Sequence, residues 1–506
     1  MYVILALLCI PVIVVLAVYA IDYRARNRFK RANNQAKHSI MPTLGIVKSL
    51  SNIIVEPFKK NKSHLSQLLH EAYLTVGKDN GIYHKFLGPI DNIVIADVDA
   101  IKTVLLNPKS FPKFPLHLSK DSPTARFSGR NLAFIEGEEW KAQRHVINPA
   151  FYNLNKFFEP FDLHTKKCLD LFASKNGQPI AIPLAMTNFT IDVLGETVIG
   201  TNFGAQDGNL DRTTLEDLLY LMAYSFQPAR LLFSFINKLP TKANREFEVR
   251  LQRFNHFIGD LVSAAEDKFK NRNNNNGDNA QETLLDLMIQ SAHSEYGQGL
   301  SDSTVRDNAV AFFIAGHETT SSALGFAFYR LSKHPEAQQR LYNEIKDTLN
   351  GDDLNTDLIQ NMNYLDAFIK ETMRMHPPAA GVLGRVNVED VVMCGYKIPK
   401  GTMISPDFYS LHYNKEYYGP SVNEFRPERF LGEEGKSIPR FAHLPFSAGA
   451  RVCIGNHFSV LEQKVFLARL LLRFEILPNP DYRYKVSPSS ILCISDDFTV
   501  TVKERK

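Results

Sequence analysis

Cysteine is scarce in this chain, which has five cysteines among 506 residues and a single tryptophan. The five are scattered without the spacing of a disulfide framework, so the sequence excludes a small disulfide-stapled fold and suits a reducing compartment. Excess charge is also small, because 58 Lys and Arg stand against 54 Asp and Glu, a formal net charge of +4. A balance this even argues against nucleic acid as the main partner. The cysteines are Cys9, Cys168, Cys394, Cys453 and Cys493.

What the chain does have is length and helical patterning. Its composition, 44% hydrophobic and 22% charged, is ordinary globular usage and allows one large domain or two or three smaller ones. Short apolar runs between turn residues predict a small sheet at 81–96 and further strands after Pro377. The segment 112–130 predicts a loop, and 271–280 predicts a surface loop or a disordered linker. Helical patterns dominate elsewhere, so we predict a mainly α fold with a small β-rich part.

The first 21 residues carry no charged side chain and are enough to span a bilayer as a helix. Five bases and one acid follow in residues 22–31, and the positive-inside bias places that side in the cytosol. A cleaved signal peptide, cut after Val18-Tyr19-Ala20, is the alternative, but signal peptides carry their positive charge before the apolar run. We therefore predict a retained transmembrane anchor at 1–21, a basic juxtamembrane linker at 22–60 and the main domain at 61–506.

The most informative segment is Phe446–Gly455, which reads Phe-Ser-Ala-Gly-Ala-Arg-Val-Cys-Ile-Gly. Its glycines let the backbone turn tightly and approach a flat ligand. A helical apolar pattern resumes after it, so Cys453 precedes a helix N-terminus, where the dipole and free N–H groups favour a thiolate. A lone cysteine is more often an inert buried hydrophobe. A zinc site fits poorly, because His443 and His457 are near but no second cysteine lies within ligand spacing.

The five fixed residue types of Phe-x-x-Gly-x-Arg-x-Cys-x-Gly arise together by chance on the order of once in ten thousand chains of this length. The segment resembles the haem-binding loop of the cytochrome P-450 superfamily, of the eukaryotic microsomal type. The resemblance implies haem b as cofactor, with Cys453 as the axial thiolate ligand of the iron and Phe446 as an apolar cover.

A second motif lies on the longest helical stretch, which we expect to begin at a capping Ser301 and to run to Ser332, about 45 Å. Near its middle is Ala315-Gly316-His317-Glu318-Thr319-Thr320. Gly316 would let a ligand approach or loosen the local turn. Taken alone, Thr319 is better interpreted as a hydroxyl that bonds back to a carbonyl of its own helix.

Beside the Cys453 loop, this motif resembles the family's distal oxygen-activation site. The resemblance implies that Thr319 holds the hydroxyl and water network that delivers protons to iron-bound dioxygen, and that Glu318 relays protons from solvent. Related fatty-acid ω-hydroxylases carry a glutamate immediately before the motif's glycine that can ester-link the haem. That position is Ala315 here, so we expect non-covalent haem.

A third motif is the pair Glu371 and Arg374, three residues apart and therefore on one side of a helix. An exposed pair of this kind is common and contributes little. In the family, such a pair meets the arginine of a downstream Pro-Glu-Arg-Phe segment, which is Arg429 here, in a buried triad beneath the haem. The resemblance implies a structural role for the three side chains.

A fourth element is Trp140 with Arg144, one helical turn apart. The indole N–H and the guanidinium are donors suited to carboxylates. The resemblance implies that both bind a haem propionate, with Arg385 and Arg451 completing the set. A plain core aromatic is the alternative interpretation of Trp140.

These motifs follow the family's order over nearly the whole chain. They imply a single large domain with haem between the helix of Thr319 and the helix after Cys453. They also imply a monooxygenase that inserts one atom of O2 into a lipophilic substrate. The sequence carries no flavin or nicotinamide motif, so electrons must come from a partner. We expect an NADPH-dependent flavoprotein reductase, with cytochrome b5 as a further candidate, at the endoplasmic reticulum membrane, and a cytosolic catalytic domain.

A basic face on the Cys453 side would receive that partner, although most such charges are simply solvated. Its expected members are Lys141, Lys464 and Arg469.

The sequence leaves the substrate open among steroids, terpenoids and fatty acids, and the chain is similar to fungal hydroxylases that accept steroids. Two other functions remain: a thiolate-haem isomerase, dehydratase or peroxygenase, and a non-catalytic haem-binding protein. Thr319 speaks against both, since neither needs protons delivered to dioxygen. The family arrangement suggests these pocket walls: 112–130, Leu218–Phe235, Phe312, Phe313, Ala379–Leu383 and Ile491-Leu492.

Overall fold

The computed structural model describes residues 64–87, 90–115, 121–227, 230, 234–274, 283–293, 300–487 and 491–505, with Tyr23, Asn27, Arg28, Thr43 and Leu44. The predicted anchor at 1–21 lies outside these residues, as does most of the linker at 22–60. Within the described part of the chain, no helix is both long enough and apolar enough to cross a membrane.

Helices make up most of the described chain, as predicted, and they surround a few short strands. The helices are α1 (Leu65–Ala72), α2 (Val98–Leu106), α3 (Pro123–Ser128), α4 (Gly137–Ile147), α5 (Phe158–Ala173), α6 (Ile182–Leu194), α7 (Arg212–Ser225), α8 (Lys242–Asn274), α9 (Leu284–Ala292), α10 (Asp302–Lys333), α11 (Pro335–Leu349), α12 (Thr356–Gln360), α13 (Asn363–Met375), α14 (Phe408–His412), α15 (Lys415–Tyr418), α16 (Gly432–Ser437) and α17 (Asn456–Arg473). Short 3₁₀ or π turns lie at Tyr73–Gly77, Asn148–Phe151, Leu154–Phe157, Gly195–Ile199, Ser234–Lys238, Pro427–Phe430 and Gly449–Arg451.

The described strands are β1 (Thr43–Leu44), β2 (Ile82–Leu87), β3 (Ile90–Ile95), β4 (Ile180–Ala181), β5 (Arg385–Val386), β6 (Val391–Met393), β7 (Tyr396–Ile398), β8 (Met403–Pro406), β9 (Phe474–Pro478) and β10 (Thr499–Glu504). They form small sheets that join distant parts of the chain. The largest has the order β1-β2-β3-β8-β5, in which β2 and β3 are antiparallel with Ile82 opposite Ile95, and β3 and β8 are parallel. A second sheet has the order β4-β10-β9, and β6 pairs with β7.

These elements confirm the strands predicted at 81–96 and after Pro377. The loop prediction for 112–130 is wrong in part, because α3 forms within it. Ser122 accepts a hydrogen bond from the N–H of Ala125, and Pro123 stands at the first helical position, so the segment carries its own start signal. Residues 271–274 of the other predicted loop continue α8, and 275–280 lie outside the described residues.

Helix α10 is the long central helix that the sequence predicts. Ser301 caps it by accepting from the N–H of Thr304, and the chain leaves the helix just before Pro335. The helix runs without a break for 32 residues, so the expected loosening at Gly316 is wrong. A Cβ at Gly316 would lie 2.5 Å from a methyl carbon of Leu194, so the glycine faces α6 and allows α10 and α6 to pack closely.

Helix α17 begins at Asn456, directly after the cysteine segment, and crosses α10 near Thr320. The hydroxyls of Thr320 and Ser459 are 2.9 Å apart and join the two helices. Beyond that contact, Phe328 of α10 and Phe189 of α6 pack against Phe466 of α17 in the main apolar core. The two helices therefore enclose a space between Cys453 and the middle of α10.

Candidate active site

The segment that carries Cys453 is a tight loop held by its own backbone. The N–H of Cys453 donates to the carbonyl of Phe446 over 3.0 Å, which closes the loop at its base. Gly449 has φ +72°, and a Cβ there would lie 2.6 Å from the carbonyl oxygen of Leu105 in α2. Only glycine fits this approach without displacement, so the loop is seated directly on α2.

Burial raises the pKa of the Cys453 thiol, and this effect exceeds the lowering by the Gly455 N–H and the Arg144 guanidinium. The N–H groups at the helix N-terminus act in the predicted direction, because the Gly455 N–H lowers the pKa of Cys453, but burial outweighs them and the net shift is upward. The cause is desolvation, since the sulfur lies deep among protein atoms although it opens onto an internal cavity. A coordinating metal ion deprotonates a thiol outright, so the site suits a ligating sulfur better than a free thiolate.

Two cavities, of about 230 and 260 Å³, meet at Cys453. They share Val382, Arg451 and Cys453. Thr319, Ala323 and Phe446 line the first. The second is lined by Trp140, Arg144, Phe312, Ala315 and Arg385, among others. The structure thus brings most of the predicted site residues to one continuous space.

One face of α10 forms a wall of that space. Phe312, Ala315, Thr319 and Ala323 line it, and their spacing of three or four residues places them on one side of the helix. Phe313 points elsewhere, 2% exposed and packed against Phe203 and Phe257, so its prediction as a pocket wall is wrong.

The other predicted walls divide in the same way. Ala379, Gly381, Val382 and Leu383 line the cavities, as expected. Leu218 does not, because its side chain on α7 is fully buried in the apolar core.

Thr319 bonds back to a carbonyl of its own helix, as the interpretation of this residue taken alone predicts. Its hydroxyl donates to the carbonyl of Ala315 over 2.7 Å. Since the proton is used there, the oxygen faces the cavity as an acceptor. Glu318 is 8% exposed and is not among the residues that line either cavity. Its relay role stays a prediction.

Glu371, Arg374 and Arg429, called the buried triad below, meet with almost no exposure. Glu371 accepts from Arg374 at 2.7 and 2.9 Å and from Arg429 at 3.0 Å. The remaining guanidinium N–H groups reach backbone carbonyls, including those of His412 and Tyr418. The carboxylate is thus shared by two guanidiniums whose other N–H groups bond to backbone carbonyls, as a structural role requires.

Lys113, Arg144, Arg385 and Arg451, called the cation cluster below, contrast with that balance, because all four line one cavity. Glu136 is 2.5 Å from Arg451 and 3.6 Å from Arg385. Within the described residues, Nε and Nη1 of Arg385 and Nη1 of Arg451 are buried and have no hydrogen-bond partner.

Trp140 lies in this cluster as a π surface, with the Arg451 guanidinium 3.9 Å from its ring centre. The sequence did not reveal Lys113 and Glu136. Lys113 arrives through a backbone bridge to Arg385, and Glu136 is the residue before α4. A search for charged residues one turn before Trp140 would have found Glu136, but no local signal marks Lys113.

The predicted basic face is largely neutralised. Lys464 is 3.1 Å from Asp366, and Arg469 pairs with Asp162 and Asp353 at 2.6 Å. Both side chains are mostly buried, so they hold helices together and present little free charge. Lys141 is exposed, 2.6 Å from the more exposed Glu138, and remains available to a partner.

Comparison with known proteins agrees with this site. Residues 55–502 match the family model described as Cytochrome P450. "Cytochrome P450 4d2" of Drosophila melanogaster is 32% identical over 71% of this chain and 75% of its own length. "Cytochrome P450 3A9" of Rattus norvegicus is 30% identical over 87% of both chains. "Cyclooctat-9-en-7-ol 5-monooxygenase" of Streptomyces melanosporofaciens is 27% identical over 78% of this chain and 82% of its own length. The chain belongs to the cytochrome P450 family and is a haem b monooxygenase whose iron takes a cysteine thiolate as axial ligand.

Proposed function

We propose that Cys453 is that axial ligand and that the enzyme hydroxylates a lipophilic substrate held against the Thr319 face of α10. One observation carries the proposal: Cys453, the cation cluster and Thr319 converge on one space between α10 and α17. A steroid, terpenoid or fatty acid is the substrate class, and a reductase supplies the electrons.

The residues around Cys453 fit haem. Four basic side chains gather near the single carboxylate of Glu136, and the two propionates of haem would offset most of that excess positive charge. The unpartnered N–H groups of Arg385 and Arg451 are donors for those carboxylates. Trp140 and Arg144 stand beside them. Ala315 offers no carboxylate for an ester link, which supports non-covalent binding.

Haem bound here supplies dioxygen activation, and electron donation by a thiolate ligand favours O–O cleavage. The protein's own part is to hold protons and exclude water. The Thr319 oxygen accepts a hydrogen bond from a proton donor in the cavity, because its own proton is held by Ala315. Glu318, the buried residue before Thr319, supplies protons to the hydrogen-bond network at Thr319.

The cavity walls favour an apolar substrate. Phe312, Ala323, Val382 and Leu383 are apolar, and Ala379 is small, so they exclude water from the reacting carbon. The Streptomyces relative is named as a monooxygenase of cyclooctat-9-en-7-ol, a cyclic alkenol, which supports a lipophilic substrate.

Electron supply and location complete the proposal. An NADPH-dependent flavoprotein reductase is the donor, with cytochrome b5 as a further candidate. Residues 1–21 anchor the chain to the endoplasmic reticulum membrane with the catalytic domain in the cytosol. The apolar character of 1–21 and the five bases that follow support this arrangement.

The test is Cys453→Ala, with Cys394→Ala as a matched control that removes a cysteine from the β6–β7 turn. We expect Cys453→Ala to abolish the red-shifted Soret band of the reduced carbon monoxide complex and reductase-driven hydroxylation. The control should retain both. A red-shifted band that survives Cys453→Ala would refute the assignment.

Thr319→Ala tests the proton step separately. It should leave haem bound but divert reducing equivalents to peroxide, because the acceptor oxygen is lost. Hydroxylation that stays fully coupled to NADPH oxidation would contradict the role of Thr319.

A further inference from the structure

His412, at the end of α14, joins the buried triad to the loop that carries Cys453. It is fully buried, and its ring stacks on His443 with the ring centres 5.5 Å apart. None of the sequence motifs includes it.

On the triad side, His412 and Arg374 exchange two hydrogen bonds. Arg374 Nη1 donates to the His412 carbonyl over 2.8 Å, and His412 Nδ1 lies 3.1 Å from the Arg374 carbonyl. A carbonyl oxygen can only accept, so Nδ1 carries the proton. The position of the ring is therefore set by Arg374, which Glu371 holds in turn.

On the loop side, His412 Nε2 accepts from the backbone N–H of Leu444 over 2.9 Å. A nitrogen that accepts is unprotonated, so the two contacts fix one neutral tautomer. Burial, with the nearby His443 and Arg374, lowers the pKa of His412 well below its ordinary value, in agreement with a neutral ring.

Leu444 is the root of the cysteine loop. Its carbonyl accepts from the N–H of Ser447 over 3.1 Å, and Ser447 turns the chain with φ +61°. The carbonyl of Phe446, the residue before Ser447, accepts from the N–H of Cys453. A displacement of Leu444 therefore moves the base of the loop on which the sulfur sits.

We propose that His412 is a positioning residue that holds the Cys453 sulfur in register by tying Leu444 to the buried triad. The inference rests on the proposed role of Cys453 as the axial ligand. The triad then has two roles, because it stabilises the fold and also fixes the place of the ligand loop through His412.

Three variants separate this role from simple packing. His412→Gln places an amide acceptor near the position of Nε2 and keeps the bond to Leu444. His412→Asn places its amide near Nδ1 and keeps the bond to Arg374, but cannot reach Leu444. His412→Phe keeps an aromatic ring at this position but loses the side-chain bonds to both Arg374 and Leu444. His443→Phe is the control, because it removes the stacked imidazole, which binds the Lys370 carbonyl.

The readouts are the rate at which the reduced carbon monoxide complex loses its red-shifted Soret band and the midpoint of thermal unfolding. We expect this loss to be about tenfold faster in His412→Asn and His412→Phe, which corresponds to about 1.4 kcal/mol for the unsatisfied Leu444 N–H. His412→Gln and His443→Phe should behave like the parent protein in this assay, even where their unfolding midpoints fall.

Equal loss rates for His412→Asn and His412→Gln at matched unfolding midpoints would overturn the inference. Cys453→Ala separates the role of His412 from the axial assignment. If that variant keeps the red-shifted band, the axial assignment fails. If it loses the band while His412→Asn keeps it as long as His412→Gln does, only the role of His412 fails.

Discussion

The buried triad and the cation cluster use the same residue type in opposite ways. In the triad, Glu371 accepts from both arginines, and backbone carbonyls take the remaining N–H groups. In the cation cluster, buried N–H groups of Arg385 and Arg451 have no acceptor among the described residues. Burial lowers the pKa of both of these arginines.

We interpret this difference as the one between structural arginines and the arginines that are proposed to bind haem. A buried charge whose hydrogen bonds are complete stabilises the fold by its completeness, and breaking it is costly. A buried charge with unused donors costs stability until an anion arrives. Three changes test that distinction and a fourth tests the cations outside both clusters, from the largest expected effect to the smallest.

Glu371→Gln breaks the complete cluster. Arg374 and Arg429 keep their positions but lose the negative charge between them, so we expect the free energy of unfolding to fall by about 3–5 kcal/mol. Denaturant unfolding measures it. Glu434→Gln is the control, since Glu434 pairs with Arg426 at the surface and should cost at most about 0.5 kcal/mol. Similar losses of unfolding free energy in Glu371→Gln and Glu434→Gln would show that the buried triad is no more important to stability than a surface ion pair.

Arg385→Met acts on the incomplete cluster. Because Arg385 is buried with unused donors, we expect the haem-free protein to keep or slightly gain stability. The haem-loaded protein should release haem about 10–100-fold faster, since each charge-assisted hydrogen bond contributes about 1.5–3 kcal/mol. Haem transfer to an acceptor protein measures the rate. An unchanged rate, together with reduced haem-free stability, would place Arg385 with the structural arginines.

The pH dependence of stability should reveal the same imbalance at Lys113. Burial, with repulsion from Arg451 and Arg385, lowers the pKa of Lys113 to about 7, against a partial rise from Glu136. Between pH 7 and 10 the unfolded chain therefore binds a proton that the folded chain has released. Stability should rise with pH across that window, by at most about 1.4 kcal/mol per pH unit.

Lys113→Met should flatten this rise in the haem-free protein, as measured by denaturant midpoints at several pH values. Haem should flatten it too, because a propionate near Lys113 raises its pKa again. A slope that is identical in the parent and the variant would exclude Lys113 as its source.

The smallest effect concerns the cations outside both clusters. Lys141 is exposed, whereas Lys464 is held by Asp366. Lys141→Ala should raise the apparent KM for a microsomal flavoprotein reductase about twofold, the scale of one exposed ion pair. Lys464→Met should leave it unchanged, because that charge already has a partner. Steady-state NADPH oxidation at varied reductase concentration distinguishes them.

The sequence predicted what short-range spacing controls. The cap at Ser301, the meeting of Glu371 with Arg374, and the helix after Gly455 all follow from residues within a few positions of each other. Arg429 and the cations around Trp140 required the family resemblance, because their partners are distant in the chain.

What the sequence missed depends on tertiary crossings and on helix rotation. Lys113 joins the site through a bridge to Arg385, and Asp162 neutralises Arg469 from another helix. Phe312 and Phe313 are equally apolar, and α10 is buried on several sides, so no polar face shows which of them points at the cavity.

The close packing at Gly316 also constrains how the enzyme adapts to its substrate. Leu194 fills the space beside Gly316, and the hydroxyl of Thr190 in α6 donates to the His317 carbonyl over 3.2 Å. These two contacts prevent α10 from rotating about its own axis. The side chain of Thr319 therefore points into the cavity in one direction, whichever substrate is bound. The cavity wall at 379–383, opposite α10, must then adjust to substrates of different width. Engineering of substrate selectivity should begin at these residues.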